Sequence, residues 1–386
     1  MRIGLNARFL NYPHTGIGQH TLGLVSALAG IDKKNEYFLF VDRLPNPVPD
    51  FGTNFTIVVL PPSFRFLGSG VAKTTWEYLA IPRKAAQLKL DLIHHFYPAV
   101  SATKTRPVIM TVHDAIPWLF KDYRRALTSQ IYLQGLNWSL PKAHFILTVS
   151  EAAKDDLVKT LKIPKSKINV IHNAPDPVYL KKLKPEEIKK TLQRYKVNGD
   201  FLFYVGGFDV RKNVEKLLEA YLMVLKKYPK IKLVIGGGLT APRTKLYASL
   251  KKAKDFIRRY KLENRVKMVG FIAEGDLPAF YQGAHAFVWP SLYEGFGIPV
   301  LEAMASGTPV VTSKISVFEE IAGRSVVLID PNNSTDIANG VTKILSNPKF
   351  AEELSSKGRE RAKTFSWEKS AKALLRLYKK IASKRH

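Results

Sequence analysis

Two doubly wound α/β domains are expected from this sequence on three grounds. Its 386 residues exceed the size at which a single hydrophobic core keeps growing. Short β-branched or aromatic runs alternate with longer amphipathic stretches, the pattern of parallel strands joined by crossover helices. Midway, Asn173-Ala174-Pro175-Asp176-Pro177 breaks that rhythm, because two prolines within three residues stop helix and strand alike. The predicted organisation is a first domain over 1–175, a second over 176–365 and a terminal helix over 366–386.

In the first half, strands are predicted at 1–6, 37–41, 55–60, 91–94, 108–112, 145–149 and 168–172. Helical periodicity falls at about 18–29, 71–88, 123–140 and 151–161, with Ser150 placed to cap the last. The second half restarts at 201–205, followed by Gly206-Gly207 and a helix opening near Asn213. Further strands read at 231–235, 266–269, 286–289, 309–312 and 326–329. The final helix starts at Phe365-Ser366-Trp367, with Ser366 as its N-cap. In such folds ligands bind at the C-terminal ends of the strands, so the active site is expected in the cleft between the domains.

Composition narrows the function. The chain has no cysteine, which excludes a disulfide framework, a thiolate metal site and a cysteine nucleophile. No apolar run reaches the ~18 residues of a membrane span, and Met1–Asn6 reads directly into a strand without a signal-peptide pattern, so a cytoplasmic protein is expected. Sixty Lys and Arg against 32 Asp and Glu leave a formal charge of +28. The excess is concentrated at 181–196, with seven basic and two acidic residues, and at 357–386, with eleven and two. Such a field attracts nucleic acid, anionic lipid or phosphorylated substrates. Residues 64–89 add Trp76 and Tyr78 among five cations and one acid, Glu77, the composition of an interfacial helix, although Pro82 interrupts the stretch.

The densest chemical signal is Pro290-Ser-Leu-Tyr-Glu-Gly-Phe-Gly-Ile-Pro-Val-Leu-Glu302-Ala-Met-Ala-Ser-Gly-Thr-Pro-Val-Val311. It leaves a strand, forms a glycine-bearing loop and enters a helix near Ile298. Backbone amides at such a helix start bind phosphate oxygens, and glycines let the backbone approach a ligand closely. Of Glu294, in the loop, and Glu302, about a turn into the helix, one can accept hydrogen bonds from sugar hydroxyls while the other takes a ribose diol. Arg211 and Lys212, at the helix start after Gly206-Gly207, make a cationic clamp for a diphosphate leaving group. Thr15-Gly16-Ile17-Gly18 sits where a phosphate loop belongs, and His113 follows a strand end with Asp114 beside it, as a loop-orienting or capping residue. His94-His95 ends another strand and is a candidate acceptor contact. The nine histidines lack metal-ligand spacing with carboxylates, and no metal is expected.

These stretches closely resemble the signature of glycosyltransferase family 4, retaining enzymes of the GT-B fold, and the resemblance covers nearly the whole chain. Beyond the Glu294–Glu302 stretch it rests on Thr15-Gly-Ile-Gly18, Thr111-Val-His-Asp114, Thr148-Val-Ser-Glu151, Val269-Gly-Phe271 and Leu277-Pro-Ala-Phe-Tyr281. The family position of an arginine is Gly207 here, so Arg211 is the candidate replacement, while Lys212 matches the family lysine. The nearest subfamily in pattern is that of mannosyltransferase-like enzymes extending surface glycans. The resemblance implies a nucleoside diphosphate sugar donor, GDP-mannose first and a UDP-sugar next, with no cofactor. Glu294, His113, Lys212 and Arg211 would be catalytic, and Gly16, Gly18, Gly207, Gly270, Phe271, Glu294–Ile298 (including Gly295, Phe296 and Gly297) and Glu302 would bind donor. The Val269–Phe271 loop would meet the base.

The expected function is retaining transfer of a hexose, mannose first, to a glycan or polyprenyl-linked saccharide at the cytoplasmic face of an anionic membrane. Retention would proceed by same-face displacement, because the first half offers no well-placed carboxylate nucleophile. Two other readings are an epimerase of the same fold, acting without an acceptor, and a basic nucleic-acid-binding protein. The second lacks any recognition helix, zinc module or aromatic RNA platform, so no nucleic-acid partner is expected.

Overall fold

β1 (Arg2–Asn6) is buried along nearly its whole length and pairs in parallel on both sides, with β2 (Glu36–Val41) and with β4 (Leu92–His95). It is the third strand of a seven-stranded sheet completed by β3 (Phe55–Val59), β5 (Val108–Thr111), β6 (Phe145–Thr148) and β7 (Ile168–Val170), in the order β3-β2-β1-β4-β5-β6-β7. A second parallel sheet holds β8 (Phe201–Val205), β9 (Lys232–Gly236), β10 (Val266–Gly270), β11 (Ala286–Trp289), β12 (Val310–Ser313) and β13 (Val327–Ile329), in the order β10-β9-β8-β11-β12-β13. The computed structural model describes residues 1–64, 66, 68–101, 103, 106–238 and 245–382.

The strand order reverses beside β1 in the first sheet and beside β8 in the second. Loops leaving β1 and β4, or β8 and β11, therefore diverge to opposite faces and open a crevice at the strand ends, where doubly wound folds bind ligands. The thirteen strands among the described residues fall where the apolar runs predicted them, shifted by at most two residues at their ends.

The chain divides into two units, Met1–Asn173 together with Ser366–His386, and Ala174–Phe365. In the first, the terminal helix Trp367–Ala382 buries Ala371, Leu374 and Tyr378 in the same core as Ile3, Leu5, Leu24 and Leu28. It lies on the helix Gly16–Ile31 closely enough that a Cβ at Gly23 would stand 2.2 Å from the Trp367 ring. Ser370 Oγ donates to the His172 carbonyl at 2.7 Å, and Ser366 Oγ accepts from Lys369 N at 3.2 Å as the expected cap.

Pro82 does not interrupt its helix. A π-helical turn at Trp76–Ala80 joins Ser69–Thr75 to Ile81–Gln87, and Ile81 N donates to Trp76 O across the wider turn. The extra residue absorbs the missing proline N–H and its steric demand on the preceding turn. Trp76 is not interfacial either. It is 1% exposed, packs with Phe38, Phe40 and Ile93 and donates from Nε1 to Leu60 O at 2.6 Å. Arg65 and Leu67 of that stretch, and residues 383–386 of the basic terminus, lie outside the described residues. Among the described residues no helix is long and apolar enough to cross a membrane.

Candidate functional site

In the second unit, the loops after β8 and β11 bring Arg211, Lys212 and Glu294 together. The 3-10 turn Val210–Lys212 is capped by Asp209, whose Oδ1 accepts from Arg211 N at 2.9 Å. Asn213 then adopts φ +59° and donates from Nδ2 to Pro290 O at 3.1 Å and Pro331 O at 2.6 Å, tying this loop to the neighbouring ones. Leu292 N donates to Arg211 O at 2.7 Å, so the two loops are joined by backbone as well.

Lys212 Nζ donates to Glu294 Oε1 at 2.6 Å, and Ser291 Oγ lies 2.7 Å from the same oxygen. Arg211 Nη1 donates to Tyr293 O at 2.9 Å and lies 3.3 Å from Glu294 Oε2. The ammonium of Lys212 also sits 4.5 Å over the Trp289 ring. These side chains are mostly withdrawn from water, at 16%, 10% and 12% exposure for Lys212, Glu294 and Arg211. Burial works against the Glu294 carboxylate, but Lys212 and Arg211 outweigh it and hold its pKa below the ordinary value. Glu294 and Lys212 leave the strand ends as expected, and they form a largely buried ion pair.

Gly297 takes φ +94°, and a Cβ there would lie 2.4 Å from the Phe318 ring, so only glycine turns the chain into the helix Ile298–Ser306. Phe296 is 3% exposed with its ring 5.9 Å from that of Phe365, and Gly295 and Ile298 are buried. The Phe296 and Ile298 side chains therefore anchor the loop, leaving its backbone as the part that can face a ligand. Gly207 O accepts from Tyr204 OH at 2.8 Å. At the sheet edge, Gly270 has φ +74° and is followed by Phe271, 57% exposed.

Glu302 is 4% exposed and accepts from Tyr281 OH at 2.9 Å. Burial raises its pKa to about 7 against the hydrogen bonds of Tyr281 and Tyr179. A carboxyl that titrates near neutrality inside a ligand-binding fold is a functional candidate on physical grounds.

In the first unit, the predicted glycine loop serves its own helix. Thr15 Oγ1 accepts from Gly18 N at 3.0 Å, and a Cβ at Gly18 would lie 2.0 Å from Tyr12 O. Gly18 is thus required by packing and its amide is engaged by the cap, which removes it as a phosphate donor. Gly16 has open space where a Cβ would stand.

His113 Nε2 donates to Phe96 O at 2.8 Å, which assigns the neutral ring one tautomer. Asp114 Oδ1 accepts from Ile116 N at 2.9 Å, a local turn bond. His20, which the sequence did not single out, meets His113 edge-on at 4.6 Å between ring centroids, and its Nδ1 lies 2.7 Å from Asn173 Oδ1. Burial, followed by His113, lowers the His20 pKa to about 3, and burial lowers that of His113 to about 4. His20 shares an otherwise apolar buried helix face with Thr21, and a ring that can ionise in that setting was the available signal.

His94 does not face an acceptor. Its ring nitrogens are held by Tyr378 OH at 2.7 Å and Thr111 Oγ1 at 2.9 Å, inside the core. His95 Nδ1 accepts from Asn6 Nδ2 at 3.0 Å, across the reversal point of the first sheet. Among the described residues no group of three or more His, Asp or Glu stands close enough to hold a metal ion.

Two family models match the chain: glycosyl transferases group 1 over residues 186–361 and glycosyltransferase family 4 over residues 14–178. O-antigen chain mannosyltransferase B of Escherichia coli is 27% identical, with 98% of this chain and all of that protein covered. O-antigen chain mannosyltransferase RfbU of Salmonella typhimurium is 28% identical, with 71% and 69% covered. Among solved structures, sucrose-phosphate synthase from Thermosynechococcus elongatus superposes with a TM-score of 0.79 at 21% identity, with 99% of both chains covered. Anabaena HepE in complex with UDP and glucose gives 0.72 at 20% identity, with 98% and 99% covered.

Proposed function

The chain is a glycosyltransferase of group 1 with a family 4 N-terminal region, built on the GT-B fold, and from that premise we propose that it transfers a hexose from a nucleoside diphosphate sugar with retention of anomeric configuration. Mannose is the first choice of sugar and GDP-mannose of donor, supported by mannosyltransferase relatives covering most of the chain. A UDP-sugar is the second choice, supported by the UDP complex of a protein with the same fold.

The observation that carries the proposal is the Arg211–Lys212–Glu294 cluster at the reversal point of the second sheet. Departure of a nucleoside diphosphate leaves developing negative charge on phosphate oxygens, which preorganised cations in a dry site stabilise. Lys212 and Arg211 supply that charge. Glu294 keeps both cations oriented and offers its remaining lone pairs to sugar hydroxyls. Glu302 takes the ribose and Phe271 the base. His113 stays neutral, and its role toward the sugar is a hydrogen bond, not removal of a proton. With no nucleophilic carboxylate assigned, the leaving phosphate accepts the acceptor's proton on the same face.

A panel of nucleotide sugars tested by thermal shift and by transfer to glycan acceptors checks this. A bound donor raises apparent stability by mass action, by about 2.7 kcal/mol at a hundred times its Kd. GDP-mannose is expected to give the largest shift and to turn over in excess EDTA. No shift with any nucleotide sugar would overturn the assignment, and activity restored only by added manganese would overturn metal independence.

The acceptor we propose is a glycan or lipid-linked saccharide at the inner face of an anionic membrane, where the protein attaches peripherally. The +28 charge supports this, and so does the exposed side of the helix Leu127–Ser139. Leu127, Ile131 and Trp138 are exposed there, Tyr78 lies 6.1 Å from Trp138 ring to ring, and Lys142 Nζ sits 3.1 Å over Trp138. Aromatics beside cations suit an interfacial surface, with about 1 kcal/mol contributed per cation near an anionic leaflet. Flotation should show salt-sensitive recovery with anionic vesicles and little with neutral ones. Equal recovery with both, or none, would favour a soluble acceptor.

A further inference from the structure

The first unit contains a cavity of about 350 Å³ lined by Arg8, Asp42, Arg43, Lys73 and Trp76, together with Pro62, Ser69 and Ala72. That volume falls in the range of small-molecule sites. Three cations face it against one carboxylate. Asp42 is already engaged, accepting from Arg8 Nε at 2.7 Å and from Asn11 Nδ2 at 3.1 Å. Arg43 stands over the Tyr12 ring at 5.4 Å and pairs with no carboxylate among the described residues.

Lys73 donates to Tyr132 OH at 2.8 Å, stands 5.0 Å over the Tyr97 ring and lies 3.6 Å from Glu77, fully buried behind it. Burial lowers the pKa of this ammonium, Glu77 opposes, and the Arg8 charge lowers it further. Two cations that repel one another across one cavity are stabilised by an anion placed between them. Pro62, Ala72 and Trp76 give the remaining wall apolar surface beside Ser69, and Phe64 and Phe66, both exposed, follow Pro62 in the chain with ring centroids 6.2 Å apart.

We propose that this cavity is a phosphate or diphosphate subsite for the acceptor, with Arg8, Arg43 and Lys73 on the anion and the neighbouring aromatics on an attached apolar chain. The assignment rests on the transferase reading for the word acceptor, but not for the anion. Arg guanidinium and Lys ammonium groups are the side chains that hold phosphate oxygens, by fork and by point charge respectively. The diphosphate could reach the site free or as the head of a prenyl lipid.

Calorimetric titration of the full chain with farnesyl diphosphate, inorganic pyrophosphate and farnesol separates these cases. Both diphosphates should bind and farnesol should not. Tenfold tighter binding of the prenyl form identifies a lipid-linked acceptor, whereas equal binding identifies a diphosphate without a lipid. Arg43 is exposed, so Arg43→Glu should fold with an unchanged melting temperature and lose at least tenfold in affinity. Asp42→Asn removes the opposing charge and should tighten binding several-fold, an effect that a merely structural role would not produce. Unchanged affinity in Arg43→Glu, or weaker binding in Asp42→Asn, overturns the proposal. GDP titrated into protein saturated with farnesyl diphosphate should bind as it does to free protein. Displacement of farnesyl diphosphate by GDP would place the diphosphate in the donor site and overturn it too. Absence of both GDP and UDP binding to free protein would instead count against the transferase reading, with the cavity judged on Arg43→Glu alone.

Discussion

The reversal points of the two sheets each gather ionisable side chains away from water, and they solve the same problem in opposite ways. In the second unit Lys212, Arg211 and Glu294 remain charged because each has an opposite charge within 3.3 Å. In the first unit His20, His113, His94 and His95 have no carboxylate partner among the described residues, and burial keeps them neutral at physiological pH. A charge leaving water costs several kcal/mol, and the cost is met either by a counter-ion or by giving up the proton. Stabilising charge in a reaction needs the first kind of site. Offering hydrogen bonds without releasing or taking protons needs the second.

The largest effect that can break this contrast is expected at the ion pair. Lys212→Ala leaves Glu294 buried with only Arg211 beside it, so about 3–5 kcal/mol of stability should be lost in denaturant titrations. Turnover should fall by about 10²–10³ if the ammonium also stabilises the transition state. Near-wild-type kcat in a variant that has lost stability would make the pair purely structural. Lys212→Met, which fills the volume without charge, should recover part of the stability and none of the rate.

The histidine side is tested by acid. Because the His113 pKa lies near 4 instead of 6.5, the unfolded chain binds a proton more readily than the native one between those values. Stability should therefore be fully present above about pH 6.5 and decline as pH falls toward 4, by on the order of 3 kcal/mol from this residue. His113→Asn should show a shallower acid slope in urea midpoints measured from pH 7 to 4. An identical slope would mean that the ring is solvated.

Glu302 sharpens the comparison, since burial shifts this carboxyl toward its neutral form as it does the histidines. Its pKa is raised to about 7, so the sign reverses, and its stabilising contribution is present below the unfolded value of 4.5 and lost as pH rises through 7. Glu302→Gln should remove that slope from the stability profile. If the carboxylate holds the ribose, the same variant should raise the donor KM several-fold, about 1 kcal/mol, with kcat little changed. A donor KM that does not move would leave Glu302 a core residue bonded to Tyr281.

Residues that the sequence placed well are those whose role follows from neighbours a few positions away. Ser150 was legible as a cap because its position three residues before Ala153 N is local, and the bond forms at 2.9 Å. Gly297 was legible because a strand-to-helix turn needs a residue tolerant of φ +94°. His20 and His94 were not, because a polar residue in an apolar stretch reads identically whether it meets Asn173, 153 positions away, or Tyr378, 284 positions away. Trp76 was read as interfacial for the same reason, since its partner carbonyl belongs to Leu60 in another element.

By itself the sequence determined the two parallel sheets, their strands and the loops that carry the candidate site, because apolar periodicity and turn chemistry act over a few residues. It also determined which loops could hold charge, by placing Arg211, Lys212 and Glu294 at strand ends. Only the tertiary structure decided that Lys212 and Arg211 pair with Glu294 across 82 and 83 positions of chain, that burial lowers the pKa values of His20, His94, His95 and His113, and that Glu302 titrates near 7. Ionisation depends on how much water and which counter-charge surround a group, and both are set by residues that meet only when the sheets have formed.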